Sequence, residues 1–286
     1  MGMAAVLRAV GRAAARLVYP PRCPFCDAVL GTLAECPACA ADEHALRRPM
    51  PRLAAGDWVV TGLVGGAAVY QYEGVVRDAV LRMKFSGRAC YAPLLAAQMA
   101  ALLFGCTFSR RSGIMLAEKL PPAALGYSCV VSAPSSGRHA CDPAGLLARE
   151  LAGMLGLPYL AGALYKTCET PPQKQLDRFD RLYNLVGVIA VRPGSLPENS
   201  RVLLVDDVIT TGGTVLSCAV ALRKAGADEV FAACLAATEP GRHKTPRPAE
   251  NEEQEQVKNK KTGLPAGAVP SGSLRTRPFA GLLKDD

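Results

Sequence analysis

Two stretches of this chain carry residue types at spacings that chemistry can use. The first is Val202-Leu-Leu-Val-Asp206-Asp207-Val-Ile-Thr210-Thr211-Gly212-Gly213-Thr214. Its four leading apolar residues read as a buried parallel strand, which the adjacent carboxylates Asp206 and Asp207 end. Val215 to Ala225 then reads as a helix. A loop of threonine and glycine between strand and helix suits phosphate. Its backbone N–H groups and the helix N-terminus favour an anion, and glycine lets the backbone come close. The carboxylates are placed to accept hydrogen bonds from neighbouring sugar hydroxyls. A phosphate site beside a diol site describes a ribose 5-phosphate. Capping of the helix by Thr or Asp explains neither the Asp pair nor the double Thr.

The second stretch is Cys23-Pro-Phe-Cys26 and Cys36-Pro-Ala-Cys39. Each CxxC knuckle bends the chain so that two sulfurs face one point, and two knuckles supply four thiolates to a tetrahedral zinc ion. With no open ligand position, such a zinc is structural. Iron–sulfur ligation and unmetallated thiols are the alternatives. A ribbon this small folds on its metal, so chelation or Cys36→Ser is expected to unfold it while the rest stays folded. Arg22, Arg47, Arg48 and Arg52 flank it and offer phosphate contacts. The other cysteines are scattered, most in apolar surroundings that suit small core residues. Cys141 lies two residues from His139, which leaves a Cys–His pair to be considered.

The elements that must position these residues alternate. Gly66–Tyr72 reads as a strand, Glu73–Phe85 and Ala92–Phe104 as helices, Cys129–Ala133 as a strand, and Pro143–Leu155 as a helix. Residues 159 to 164 and Gly187–Val191 read as extended, Asp177–Leu185 as helical, and Glu229–Ala236 as the last strand. Residues 40 to 65 read as a connector and 106 to 127 as an irregular insertion. Strand–helix alternation predicts an α/β fold: a mainly parallel sheet with helices on both faces and the ligand at the carboxyl ends of its strands. The predicted units are an amphipathic helix at 1–18, the zinc ribbon at 19–48, the α/β domain at 66–238 and a disordered tail at 239–286. That tail is rich in Pro, Gly and charge and lacks apolar periodicity.

Composition sets the bounds. The 286 residues are 50% hydrophobic, enough for one α/β core and a small module. No apolar run reaches the ~20 residues of a membrane span. Arg8, Arg12 and Arg16 interrupt the apolar N-terminus, which argues against a secretory signal and for a helix that docks on its own protein or on a membrane surface. The net charge of +8 is compatible with a polyanionic partner. Eleven cysteines without a secretory signal point to a reducing cytoplasm.

The 202–214 run resembles the phosphoribosyl pyrophosphate signature of type I phosphoribosyltransferases. With the double knuckle ahead of it, the chain resembles the ComF-type competence proteins over about residues 15 to 238. Other matches are Tyr19-Pro-Pro-Arg-Cys-Pro-Phe-Cys26, Tyr70-Gln-Tyr-Glu-Gly74 with Met83-Lys84-Phe85-Ser-Gly87, and the spacing of Gln173, Leu176, Arg181, Asn184 and Gly187. The resemblance implies a type I phosphoribosyltransferase-like fold and a cytoplasmic protein, or one peripheral to the inner face of the membrane. It implies that Asp206 and Asp207 hold the ribose hydroxyls, and that Thr210, Thr211, Gly212, Gly213 and Thr214 hold the 5′-phosphate. Lys84, Arg88, Lys174, Gln173, Arg181 and Asn184 belong to the same ligand site, with Mg²⁺ bridging phosphoribosyl pyrophosphate oxygens.

The chain departs from that pattern where the family has a Pro-x-Pro loop and an Arg-Gly-aromatic run. Here stand Ser132-Ala133-Pro134-Ser135-Ser136 and His139-Ala140-Cys141-Asp142-Pro143. Ser135, Ser136, Gly137 and Arg138 can still cradle pyrophosphate. Two functions follow from the resemblance. One is a ligand-binding accessory of DNA uptake in natural transformation, with single-stranded DNA and competence proteins as partners. For stacking of bases the candidates are Phe25, Trp58, Tyr70 and Tyr72, which also suit a core. The other is an active phosphoribosyltransferase that transfers phosphoribosyl to a nitrogenous base.

Overall fold

In the computed structural model the described residues are 20–238, apart from 32, 34, 50, 54–62, 64, 112–113, 120–125, 136, 138–139 and 168–187. The expected helices at 1–18 and 177–185 and the tail at 239–286 lie outside them. So do Trp58, Ser136, Arg138, His139, Gln173, Lys174, Arg181 and Asn184.

The elements in chain order are α1 (Ala40–Leu46), β1 (Gly65–Gln71), α2 (Gly74–Ser86), a 3₁₀ turn (Ala89–Tyr91) and α3 (Ala92–Phe104). There follow β2 (Thr107–Arg111), β3 (Ile114–Lys119), β4 (Cys129–Ser132), α4 (Pro143–Leu155), β5 (Leu164–Lys166) and β6 (Ile189–Val191). β7 (Ser200–Ile209), α5 (Gly213–Lys224) and β8 (Ala227–Ala237) complete the described residues. The central sheet runs β1–β8–β7–β4, and every pairing in it is parallel.

Parallel strands need helical crossovers, and these cover both faces, so the strands are apolar on both sides. The alternation of side chains sorts them into two cores. Leu203, Val205, Ala233 and Leu235 join Val80 and Met83 of α2, Leu95 of α3 and Leu147 of α4. Val202, Leu204, Ala232 and Cys234 pack on Val215, Cys218 and Leu222 of α5. The α/β fold with helices on both faces is as expected.

Three local expectations change. First, β7 does not end at the carboxylates. It continues to Ile209, with Asp206 paired to Cys234 and Ile209 to Ala237. The hydrogen bonds of β8 extend the strand past the point where apolar side chains stop. Second, residues 107 to 119 carry an antiparallel strand pair, β2 with β3, instead of irregular chain. The intervening Ser112-Gly113 is a turn-forming pair.

Third, the 40–65 connector contains α1, whose first turn carries Asp42 and Glu43. Acidic residues suit a helix N-terminus. Beyond α1, the backbone N–H groups of Arg48 and Leu53 donate to the carbonyls of Val69 and Gly66 at 2.9 and 2.8 Å. This segment runs antiparallel along the exposed side of β1 and satisfies a sheet edge that would otherwise be open.

Candidate functional site

β7 delivers two carboxylates to its carboxyl end, and strand alternation sends them to opposite faces. Asp207 follows Leu203 and Val205 toward α2, where its Oδ2 lies 2.5 Å from Lys84 Nζ. Asp206 follows Val202 and Leu204 toward α5 and lines an open cleft with Thr210, Thr211, Gly212, Gly213 and Thr214. The Asp207 N–H donates to Asp206 Oδ1 at 2.8 Å. One carboxylate faces the loop cleft and the other is held by a cation.

Electrostatics follow from burial. Burial pushes the Asp206 carboxyl well above its ordinary range, the charge of Asp207 pushes it further, and Lys84 opposes. For Lys84, burial alone would lower the pKa, but Asp207 and Asp206 outweigh it and the net shift is upward. The amine stays charged at neutral pH. It is the positive charge that allows two carboxylates to sit side by side on a buried strand.

The loop is shaped by backbone. Gly212 has φ 81° and precedes the first residue of α5, a left-handed conformation that side-chain-bearing residues rarely adopt. The Leu216 N–H donates to the Gly212 carbonyl at 2.8 Å and starts the helix. Earlier N–H groups of α5 have no carbonyl one turn behind them, so they point into the cleft that Asp206 lines. An anion of phosphate size fits this chemistry: threonine hydroxyls, backbone donors and a helix N-terminus.

The segment before α4 closes a further side. The Ala140 N–H donates to the Lys84 carbonyl at 2.8 Å, and the Cys141 thiol to the Met83 carbonyl at 2.7 Å. Burial and Asp142 raise the Cys141 thiol pKa. Cys141 is thus a protonated donor that ties this segment to α2, which argues against a nucleophilic Cys–His pair. Ser135 and Gly137 lie in the loop ahead of it.

The second site stands as expected from its spacing. The Sγ atoms of Cys23, Cys26, Cys36 and Cys39 all lie within 4.8 Å of one another. Cys26 and Cys36 are 3.7 Å apart. Four sulfurs at about 2.3 Å from a tetrahedral ion are ~3.8 Å from one another, so this cluster is capable of coordinating a metal ion. The Phe25 N–H donates to Cys23 Sγ at 3.4 Å. Burial pushes the Cys23 thiol up to about 11 and raises Cys39 further. Cys26 is lowered, chiefly by the backbone N–H of Ala28. Crowded thiols resist losing several protons together, and a divalent ion removes that resistance.

The cysteine loop is not a separate ribbon. Cys23, Phe25, Leu30, Cys36 and Cys39 share one apolar core with Tyr70, Met83, Tyr91 and Leu95. Arg82 of α2 donates to the carbonyls of Pro24 and Phe25 at 2.9 and 2.6 Å. Tyr91 donates to Asp27 at 2.7 Å, and Arg88 pairs with the same carboxylate at 3.1 Å. Glu43 of α1, fully buried, accepts two bonds from Arg47 and one from Tyr70. Phe25 and Tyr70 are therefore core residues and cannot stack on a base, while Tyr72 is only partly buried. Arg47 is committed to Glu43, and Arg88 to Asp27, not to the phosphate loop. Nothing in their spacing announced Arg82, Tyr91 and Glu43 as partners of the cysteine loop, because each meets it only through tertiary packing.

Of the other cysteines, Cys106, Cys129, Cys218 and Cys234 are buried as expected, Cys90 is exposed, and Cys168 lies outside the described residues. No helix among the described residues is long and apolar enough to cross a membrane.

Comparison with known proteins bears on the Asp206–Thr214 site. Residues 138–263 match the phosphoribosyl transferase domain family. Over 95 residues the chain is 37% identical to competence protein F of Haemophilus influenzae, a match that spans 32% of this chain and 41% of that protein. Over 51 residues it is 43% identical to an orotate phosphoribosyltransferase of Phenylobacterium zucineum, spanning 18% of this chain and 26% of that enzyme. In both cases the match covers less than half of the relative's own length. Among solved structures, the glutamine phosphoribosylpyrophosphate amidotransferase of B. subtilis is 28% identical, with a TM-score of 0.26 over 36% of this chain and 21% of that one. An adenine phosphoribosyltransferase of Thermoanaerobacter pseudethanolicus is 16% identical, with a TM-score of 0.30 over 52% and 83%. Superpositions this loose add nothing to the argument from the site.

Proposed function

We propose, from the match of residues 138–263 to the phosphoribosyl transferase domain family and from the geometry of the β7 carboxyl end, that this chain binds a ligand containing ribose 5-phosphate. The ligand is phosphoribosyl pyrophosphate with Mg²⁺, or a nucleotide, single-stranded DNA included. The observation that carries this reading is one cleft lined by Asp206 and by Thr210 to Thr214 at the N-terminus of α5. The 5-phosphate takes the threonine–glycine loop and the helix N–H groups. Ribose hydroxyls donate to Asp206, and to Asp207 once the ligand competes with Lys84 for it. Lys84 supplies the positive charge beside them. Mg²⁺ bridges ligand oxygens rather than sitting in a cage of protein groups. By the resemblance of the sequence, Ser135, Ser136 and Arg138 are assigned to the pyrophosphate and Gln173, Arg181 and Asn184 to the same ligand. The four cysteines hold a structural zinc. In this reading 19–48 is a metal-bearing lobe fused to the ligand-binding domain at 66–238.

The identity to competence protein F supports an accessory role in DNA uptake, which in this reading is played in the cytoplasm. Transfer of phosphoribosyl to a nitrogenous base is the second reading, and the stretch shared with the orotate phosphoribosyltransferase favours it. Calorimetric titration of phosphoribosyl pyrophosphate with Mg²⁺ tests the common premise. Wild-type protein is expected to bind, and Asp206→Asn/Asp207→Asn protein to bind at least tenfold more weakly while remaining folded. No binding by wild type overturns the assignment. Pyrophosphate release on addition of a base then separates the transferase from the accessory protein.

A further inference from the structure

Arg82, Met83 and Lys84 are consecutive on α2 but reach three different places. Met83 is fully buried in the core below the cysteine loop. Arg82 and Lys84 are two positions apart, which places them ~200° apart around the helix and only ~3 Å apart along it. Arg82 clamps two adjacent carbonyls of the first knuckle, Pro24 and Phe25. Lys84 meets Asp207 on the other side at 2.5 Å. The remaining contacts reinforce this last turn. Arg88, just beyond the helix, and Tyr91 both hold Asp27, the residue after Cys26. Ala140 and Cys141 bind the carbonyls of Lys84 and Met83.

The last turn of a helix is where backbone carbonyls lack partners and where a helix frays first. Here that turn carries the cation of the candidate ligand site, and its orientation is set from the cysteine loop. We infer that Arg82 is a positioning residue that fixes Lys84 against Asp207, so that metal held by Cys23, Cys26, Cys36 and Cys39 and ligand bound at Asp206–Thr214 are thermodynamically linked. The inference rests on the reading of the β7 carboxyl end as a ribose-phosphate site. A metal ion fixes the knuckle, the knuckle carbonyls fix the Arg82 guanidinium, and the helix turn fixes the amine. Without the metal the two carbonyls lose their fixed positions, and Lys84 is free to leave the carboxylates. Linkage is reciprocal: a ligand that selects the ordered turn must tighten metal binding by the same factor by which metal tightens the ligand.

The test is an equilibrium competition for zinc between the full chain and a chromophoric chelator, with and without saturating phosphoribosyl pyrophosphate and Mg²⁺. Wild-type protein is expected to hold zinc roughly fivefold or more tightly in the presence of the ligand. Asp206→Asn/Asp207→Asn protein is expected to show a ratio of one, which controls for zinc taken up by the ligand itself. Arg82→Ala is expected to bring the ratio to within about twofold of one. Asp27→Asn keeps the left-handed backbone that asparagine tolerates, φ 62° at this position. It is expected to give a ratio below wild type through Arg88 and Tyr91, and Arg82→Lys, which keeps the charge but not the guanidinium, is expected to do the same and decides the role of Arg82 if Arg82→Ala does not fold. An unchanged zinc affinity at a ligand concentration that calorimetry shows to saturate overturns the linkage and leaves the ribose-phosphate reading standing. A full wild-type ratio in the folded variants overturns the role of Arg82. No ligand binding by calorimetry overturns both readings.

Discussion

The cysteine loop and the Asp206–Thr214 loop are both built from short motifs, yet they are held in opposite ways. The four sulfurs converge on one another, three of the four cysteines are buried, and side chains from α1, α2, the 3₁₀ turn and β1 tie the loop down. The loop at the end of β7 has few side-chain ties of its own. Its shape comes from one left-handed glycine and the start of a helix, and its polar groups face an open cleft. A closed cluster whose ligands are all supplied by protein stabilises. An open cradle with backbone donors and one half-screened carboxylate pair binds. The two regions meet at the last turn of α2, where residues two apart serve one each.

Breaking the closed region should have the largest effect. Cys36→Ser, or metal removal by a chelator, is expected to destabilise the whole chain by several kcal/mol, since the metal site shares the main core. Scanning calorimetry should show one shifted transition. A separate small transition with the main one unmoved would restore the picture of an independent ribbon. Next comes Arg47→Met, which strips a buried carboxylate of its cation. Glu43 is 1% exposed and keeps only Tyr70 and His44 nearby. The expected loss is about 3 kcal/mol, read by denaturant unfolding, and Arg47→Met with Glu43→Gln together should recover much of it. The smallest effect belongs to the open region. Gly212→Ala forces a side chain into the left-handed conformation at a cost of roughly 1–2 kcal/mol. Stability should fall by that amount, while calorimetric binding of phosphoribosyl pyrophosphate is lost. Retained binding would show that the loop geometry is not what holds the phosphate.

How far the sequence alone could be read differs between these regions. The strand–helix alternation, the boundaries of α2, α3 and α4, and both motifs were legible, because periodicity, glycine C-caps and CxxC spacing are local signals. α1 was not, since seven residues are too few to establish a period. The β2–β3 pair was not, since apolar and polar residues alternate only weakly along it. The Asp206–Asp207 pair read as the end of the strand because the apolar run stops there. On a strand, neighbours point to opposite faces, and β7 carries both carboxylates inside its ladder.

The residues themselves determined that a threonine–glycine loop follows a strand bearing two carboxylates, and that four thiols can meet at one point. These follow from spacing within a dozen residues, where chain geometry leaves few choices. Only the tertiary structure decided that Lys84 neutralises Asp207, that Glu43 is buried under Arg47 and Tyr70, and that Arg82 reaches the knuckle carbonyls. Each of these contacts joins elements far apart in the chain. Their formation depends on how the helices pack against one face of a twisted sheet, and no local pattern encodes that.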